Sequence, residues 1–292
     1  MSRGTVQSPL LIRLVELNTG WGGYIVKHAW ADSYFPRVGI NPTMTDASEL
    51  KPKKILFIHH STGENLLNYG NVRKLLKQKD SEIEFWDHGY NLSPKFPTLI
   101  AKFGLTFQTG LSDNNGKITG TDYNLVISND SPKEYAEIFA RENTDPTLKE
   151  ILKYDIIIFK NCFPTTKIDS DKKLEEDISY YNQIRESLKK YPDKTFIVFT
   201  PPPLRKEVTK PEWAERARKL ADYMDSENFV NSDDNLKVFN FFDLLADNSG
   251  ENNNVLKRNY TNWFYRDSHP NKKANIEIAP VFVDYILKVI TN

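Results

Sequence analysis

The sequence predicts an α/β protein in which helices cover both faces of a mostly parallel sheet, and three observations lead to that reading. Short apolar runs recur, among them Ile55-Leu56-Phe57-Ile58, Ile156-Ile157-Ile158-Phe159 and Phe196-Ile197-Val198-Phe199. Continuous apolar runs of this length mark strands buried on both faces. Between them lie stretches whose apolar residues recur at helical spacing, and strand–helix alternation builds parallel sheets. The chain has 292 residues, 39% apolar and 27% charged, a globular composition with ample material for a core.

Taken in order, residues 1–52 carry Gly20, Gly22, Gly23, Pro36 and Pro42 with no sustained period and read as an irregular N-terminal arm. The main domain, 53–292, opens on a strand over Ile55–Ile58. Leu66, Leu67, Val72, Leu75 and Leu76 then give an interrupted helical face between Gly63 and Lys79. Ile83-Glu84-Phe85-Trp86 is the second strand. The rhythm breaks over about 91–155, which is rich in Gly, Asn, Asp and Thr. This segment is far longer than an ordinary strand-to-helix connection, so it is expected to be an insertion, of the kind that serves as a lid or specificity element. Aromatics in and near it (Tyr90, Phe96, Phe103, Phe107, Tyr123) suit either stacking on a sugar or a local core. Asp155–Phe159 is the third strand. Leu174, Ile178, Tyr181, Ile184 and Leu188 follow at helical spacing, behind an N-cap at Ser170 or Asp171. Phe196–Phe199, stopped by Pro201-Pro202-Pro203, is the fourth strand. Pro211 opens a helix carrying Trp213, Ala217, Leu220 and Met224. Val238–Phe242 is the fifth strand, and a last helix holds Ile278, Phe282, Val283, Ile286 and Ile290.

Bulk properties narrow the function. The 39 basic and 39 acidic residues balance, whereas a surface that tracks phosphates draws on a basic surplus, so the composition points away from nucleic acid. The single cysteine, Cys162, permits neither an intrachain disulfide nor a cysteine-rich zinc site. No apolar run approaches the roughly 20 residues of a membrane-spanning helix. The run Pro9–Val15 is short, is broken by Arg13, and is not read as a signal peptide.

In sheets of this kind chemistry gathers at the carboxyl ends of the strands. After the first strand comes His59-His60-Ser61-Thr62-Gly63. Ser61 there is either an ordinary cap of the following helix or a nucleophile whose own N–H, at the positive helix end, helps to hold an oxyanion. After the second strand comes Asp87-His88-Gly89-Tyr90-Asn91, with Gly89 where a backbone N–H can approach a ligand. After the third comes Lys160-Asn161-Cys162-Phe163-Pro164, where Asn161 is a turn residue or a second oxyanion donor. Before the last helix comes Asp267-Ser268-His269-Pro270-Asn271, and a histidine beside a carboxylate is the arrangement that activates a hydroxyl.

Four of these blocks, in this order, resemble the SGNH (GDSL-like) hydrolases. ILFIHHSTGENLL resembles the family's first block, with His59-His60-Ser61 where the family has G-D-S. Gly89 in DHGYN falls at the family's oxyanion glycine. Asn161 in FKNCFP falls at the Asn of G-x-N-D, with Phe159 and Cys162 in place of its Gly and Asp. DSHPN resembles the terminal D-x-x-H-P block, except that Arg266 stands at the family's Asp position and the acid, Asp267, is one residue nearer His269. FIVFTPPPL is similar to the segment after the family's fourth strand. The resemblance spans about residues 53–290. It implies a three-layer α/β/α fold with a five-stranded, flavodoxin-like sheet. It further implies a serine esterase acting through an acyl-enzyme, with no metal or organic cofactor. Ser61 would be the nucleophile, His269 the base and Asp267 its orienting acid. The Ser61 N–H, Gly89 N–H and Asn161 side chain would form the oxyanion hole, and His59 or His60 would shape the cleft. The expected substrate is a small-molecule or carbohydrate ester, including acetylated sugars and short-chain esters.

Two rival readings stand beside it. His59, His60, Asp87, His88, Asp267 and His269 all fall at strand ends, and imidazole with carboxylate suits a zinc-dependent hydrolase or deacetylase. Adjacent histidines on one turn point apart, however, and no H-E-x-x-H is present. The other rival is a non-catalytic binding module on the same fold.

Overall fold

The computed structural model describes residues 53–90, 109–230, 235–250, 253–262 and 267–291. The expected N-terminal arm, together with Phe96, Phe103, Phe107 and Arg266, lies outside them. In the described residues strand β1 (Lys54–His59) runs into helix α1 (Ser61–Gly70) and helix α2 (Val72–Lys79). Strand β2 (Glu84–Gly89) and the three-residue β3 (Gly110–Ser112) follow. Next come helices α3 (Lys133–Ala140) and α4 (Pro146–Ile151), and strand β4 (Ile156–Phe159). Helix α5 (Asp171–Leu188), strand β5 (Thr195–Phe199) and helix α6 (Pro211–Met224) continue the alternation. Strand β6 (Leu236–Phe239), helix α7 (Phe241–Leu245) and helix α8 (Lys272–Thr291) complete it.

The sheet order is β3-β2-β1-β4-β5-β6. All neighbours are parallel except β2 and β3, so the five parallel strands have the flavodoxin order 2-1-3-4-5. Side chains alternate across the strands. Leu56 and Ile58 join α3, α5 and α6 in one core, while Ile55 and Phe57 join α1, α2, α7 and α8 in the other. That makes three layers.

Three details depart from the sequence reading. The sheet has six strands, not five: Gly110-Leu111-Ser112 pairs with Asp87-His88-Gly89 through its backbone and offers no apolar run to announce it. The expected helix 63–79 is two helices, because Asn71 adopts a left-handed conformation (φ 53) between them. The expected strand 238–242 ends at Phe239, because the Asn240 side chain accepts from the Asp243 N–H and caps α7. At α5 the cap is Ser170, whose hydroxyl accepts from the Lys173 N–H. Within 91–155, the described part is built into the fold: Tyr123, Ile127, Tyr135, Phe139 and Leu148 lie in the core beside β1 and β4.

Close approach fixes where α1 sits. A Cβ on Gly70 would collide with Ala279 of α8, and one on Gly63 would collide with His59. Glycine at both places lets α1 pack tightly between β1 and α8, which places its N-terminus at the carboxyl edge of the sheet.

Candidate active site

Ser61 is the first residue of α1, so its N–H is one of the helix-start donors that no intrahelical carbonyl accepts. Its hydroxyl lies 2.6 Å from His269 Nε2. His269 Nδ1 lies 2.9 Å from Asp267 Oδ2, and the His269 backbone N–H donates to Asp267 Oδ1 at 3.1 Å. The two-residue spacing therefore works as an Asx turn: one carboxylate oxygen holds the turn and the other holds the ring. This contact assigns the proton to Nδ1 and leaves Nε2 to accept the Ser61 hydrogen.

The loop carrying His269 is held from several sides. Arg205 N–H, after the proline run that follows β5, donates to the buried Ser268 hydroxyl at 3.0 Å. Asn262 Nδ2 donates to the His269 carbonyl. Asn271 caps α8 by accepting from the Ala274 N–H, and Phe163 packs edge-on against the His269 ring at 4.9 Å. Burial opposes the charged imidazolium, but the Asp267 hydrogen bond and the nearby Cys162 outweigh it, so the His269 pKa is raised. Burial also works against the Asp267 carboxylate, yet its bond to His269 leaves that pKa lowered.

The other expected residues are placed as follows. His60 Nδ1 lies 2.9 Å from Ser61 Oγ. Since the serine hydrogen goes to His269, His60 is the donor in that contact. His59 is fully buried, with Nε2 2.9 Å from Asp87 Oδ2 and Nδ1 3.0 Å from the His60 carbonyl. Gly89 ends β2 in register with His59 and Gly110. Asn161 Nδ2 donates to the Ser131 carbonyl at 2.8 Å, and its Oδ1 accepts from the Tyr181 hydroxyl at 3.2 Å. At most one Asn161 N–H is thus left for an oxyanion.

The six residues of the metal reading separate. His59, Glu64 and Asp87 offer ligand atoms within 4.8 Å of one another, but the Arg73 guanidinium pairs with Asp87 and already supplies a cation there. Burial pushes the His59 pKa down to about 4, so the ring is neutral near pH 7. His88 instead accepts from the Tyr123 N–H at 3.0 Å, and Asp267 and His269 face Ser61.

Two residues beside Ser61 were not singled out for chemistry in the sequence. Lys160 is fully buried at the end of β4, and its ammonium donates to Thr62 Oγ1 and to the Asn161 carbonyl, the latter at 2.9 Å. Cys162 Sγ lies 3.5 Å from Thr62 Oγ1 and 3.8 Å from Ser61 Oγ. The available signal was a lysine set directly behind the all-apolar Ile156–Phe159, where the chain is still inside the core.

Some solved structures are similar to this chain. A GDSL-like lipase from Bacteroides thetaiotaomicron is similar over 82% of this chain and 90% of its own, with 11% identity and a TM-score of 0.46. A candidate acylhydrolase from Bacteroides fragilis is similar over 81% of this chain and 88% of its own, with 11% identity and a TM-score of 0.42. No protein-family model matches the chain, and no curated protein sequence matches it.

Proposed function

We propose that this chain is a serine hydrolase of acyl esters. The observation that carries the reading is the unbroken relay from Ser61 Oγ to His269 Nε2 at 2.6 Å and from His269 Nδ1 to Asp267 at 2.9 Å. A nucleophile hydrogen-bonded to a base that a third group orients is the pattern of covalent acyl transfer. The ordered blocks that resemble SGNH hydrolases agree with it.

In this reading Ser61 Oγ attacks the ester carbonyl carbon while His269 Nε2 takes the hydroxyl proton. Asp267 stabilises the imidazolium so formed. The carbonyl oxygen, now negative, lies against the Ser61 N–H at the start of α1, with the remaining Asn161 N–H as a further donor, while Gly89 is paired with Gly110 in the sheet. His269 returns the proton to the departing alcohol. Water, activated by the same histidine, then releases the acid from Ser61. The substrate class is a small-molecule or carbohydrate ester.

The test uses an activated acyl ester and a fluorophosphonate. Wild-type protein is expected to turn over the ester and to carry the phosphonate on Ser61, located by peptide mass spectrometry. Ser61→Ala should do neither while melting at the wild-type temperature. Ester turnover by Ser61→Ala within tenfold of wild type removes Ser61 as the nucleophile.

A further inference from the structure

A buried ammonium is costly unless it is hydrogen-bonded or balanced by charge. Lys160 has no exposed surface. Its hydrogen-bond partners are the Thr62 hydroxyl and the Asn161 carbonyl, both neutral. Its own carbonyl accepts from the hydroxyls of Tyr90 (3.0 Å) and Tyr135 (3.2 Å), which hold the backbone here from two sides. Thr62 Oγ1 accepts from Lys160 and lies 3.5 Å from Cys162 Sγ. A Thr62 hydrogen donated onward makes the sulfur the acceptor, the role that a thiolate takes. That sulfur is 3.8 Å from Ser61 Oγ.

The geometry points to Lys160 as a positioning residue for Ser61, acting through Thr62 and Cys162 to fix the first turn of α1 and to keep a positive charge beside it. The inference rests on the hydrolase reading above. An unpaired thiolate so near Ser61 would repel the oxyanion formed there. Joined to Lys160 through Thr62, the sulfur has its charge offset, and the ammonium that bonds Thr62 stands by the helix start where that oxyanion collects.

The ionisations agree with this pairing. Burial works against the thiolate, but His60, Lys160 and His269 together bring the Cys162 pKa down to about 5. Burial lowers Lys160 to about 8 against an opposing pull from Cys162. Other titratable groups face the pair. They are His59 and His60 at the end of β1, His269 before α8, Tyr90 after β2, Tyr135 on α3 and Tyr181 on α5. Burial raises all three tyrosines out of the working range and holds His59 neutral.

The experiment measures kcat and KM for the activated ester across pH 6 to 10, with the ultraviolet thiolate absorbance of this single-cysteine chain. Lys160 must be charged to act, so wild-type kcat should fall above about pH 8. Lys160→Met should lose about tenfold in kcat, less than a direct oxyanion donor, with KM nearly unchanged, and should lose the alkaline fall. Cys162→Ala should move that fall to lower pH, because Cys162 supports the ammonium. Subtracting the Cys162→Ala spectrum, the thiolate should form at higher pH in Lys160→Met than in wild type. An alkaline fall that survives in Lys160→Met, or a thiolate transition that does not move, overturns the proposal. If Lys160→Met does not fold, Cys162→Ala decides, since an unmoved alkaline fall there overturns it equally. Failure of the hydrolase reading looks different: wild type turns over no ester and Ser61 takes no fluorophosphonate.

Discussion

At the scale of single residues, the site turns on how Asp267 reaches His269. The family-like spacing would put the acid three residues before the histidine, and here it is two. The Asx turn compensates, because the carboxylate bonds the His269 N–H and Nδ1 together. His269→Ala should leave almost no ester turnover. Asp267→Ala should lose up to about 10⁴ in kcat, the scale of removing a triad acid. The pH profile carries a sign as well. His269 must be neutral to accept a proton, so activity rises as pH passes its pKa, and Asp267 holds that pKa up. Asp267→Ala should therefore shift the acid limb of kcat/KM to lower pH, and an unmoved limb would mean that Asp267 does not touch the imidazole in the working enzyme. Because the proposed steps use only side chains and backbone N–H groups, chelation with EDTA should leave the rate unchanged, and loss restored by zinc would return the His59–Glu64–Asp87 cluster to consideration. Much of the relay was legible in the sequence, since Ser61 stands where β1 meets α1 and His269 stands just before α8. Asn161 was legible as a position but not as an orientation: its amide is turned to Ser131, a residue thirty positions away that no local pattern connects to it.

At the scale of elements, the buried polar network behind β1 is the most demanding feature. His59 on β1 and Asp87 on β2 meet Glu64 of α1 and Arg73 of α2, tying two strands to two helices in the core. Removing Asp87 takes away the carboxylate that the buried His59 ring and the Arg73 guanidinium share. Asp87→Ala should cost about 3–5 kcal/mol of stability, measured by urea unfolding, and a cost below about 1 kcal/mol would show that the network is solvated. The strands with apolar runs were readable because burial on both faces demands such runs. β3 was not, because an edge strand of three residues is defined by the backbone of its partner. The described part of 91–155 was hidden for a related reason. Tyr123 and Ile127 lie in no helix or strand, and α3 and α4 are only 8 and 6 residues long, too short for a sustained period to announce the core that they form with β1 and β4.

At the scale of the whole molecule, acid should loosen the fold by a definite increment. His59 and His88 have folded pKa values near 4, chiefly because burial disfavours their charged forms. Unfolded histidine takes up its proton near 6.5. Each therefore gives stability that is present above 6.5 and is lost as pH falls toward 4. Asp177 works the other way, because burial raises it to about 6 and its folded form binds a proton earlier than the unfolded chain does. Two histidines and Cys162, whose thiolate persists in the fold down to about pH 5, against one aspartate leave a surplus of about two protons taken up on unfolding between pH 6 and 5. The free energy of unfolding should then fall by about 2.7 kcal/mol per pH unit there, and Asp177→Asn should steepen that slope by about half. A flat urea midpoint across the window would show that the histidines reach solvent. A different consequence follows from the contact between Ser61 and His269, 208 positions apart in sequence. During synthesis the serine and its strand leave the ribosome early, while the histidine comes only after the last parallel strand. Under the hydrolase reading, a growing chain that stops short of α8 holds the proposed nucleophile without its base, so ester hydrolysis waits until the loop before α8 has been made.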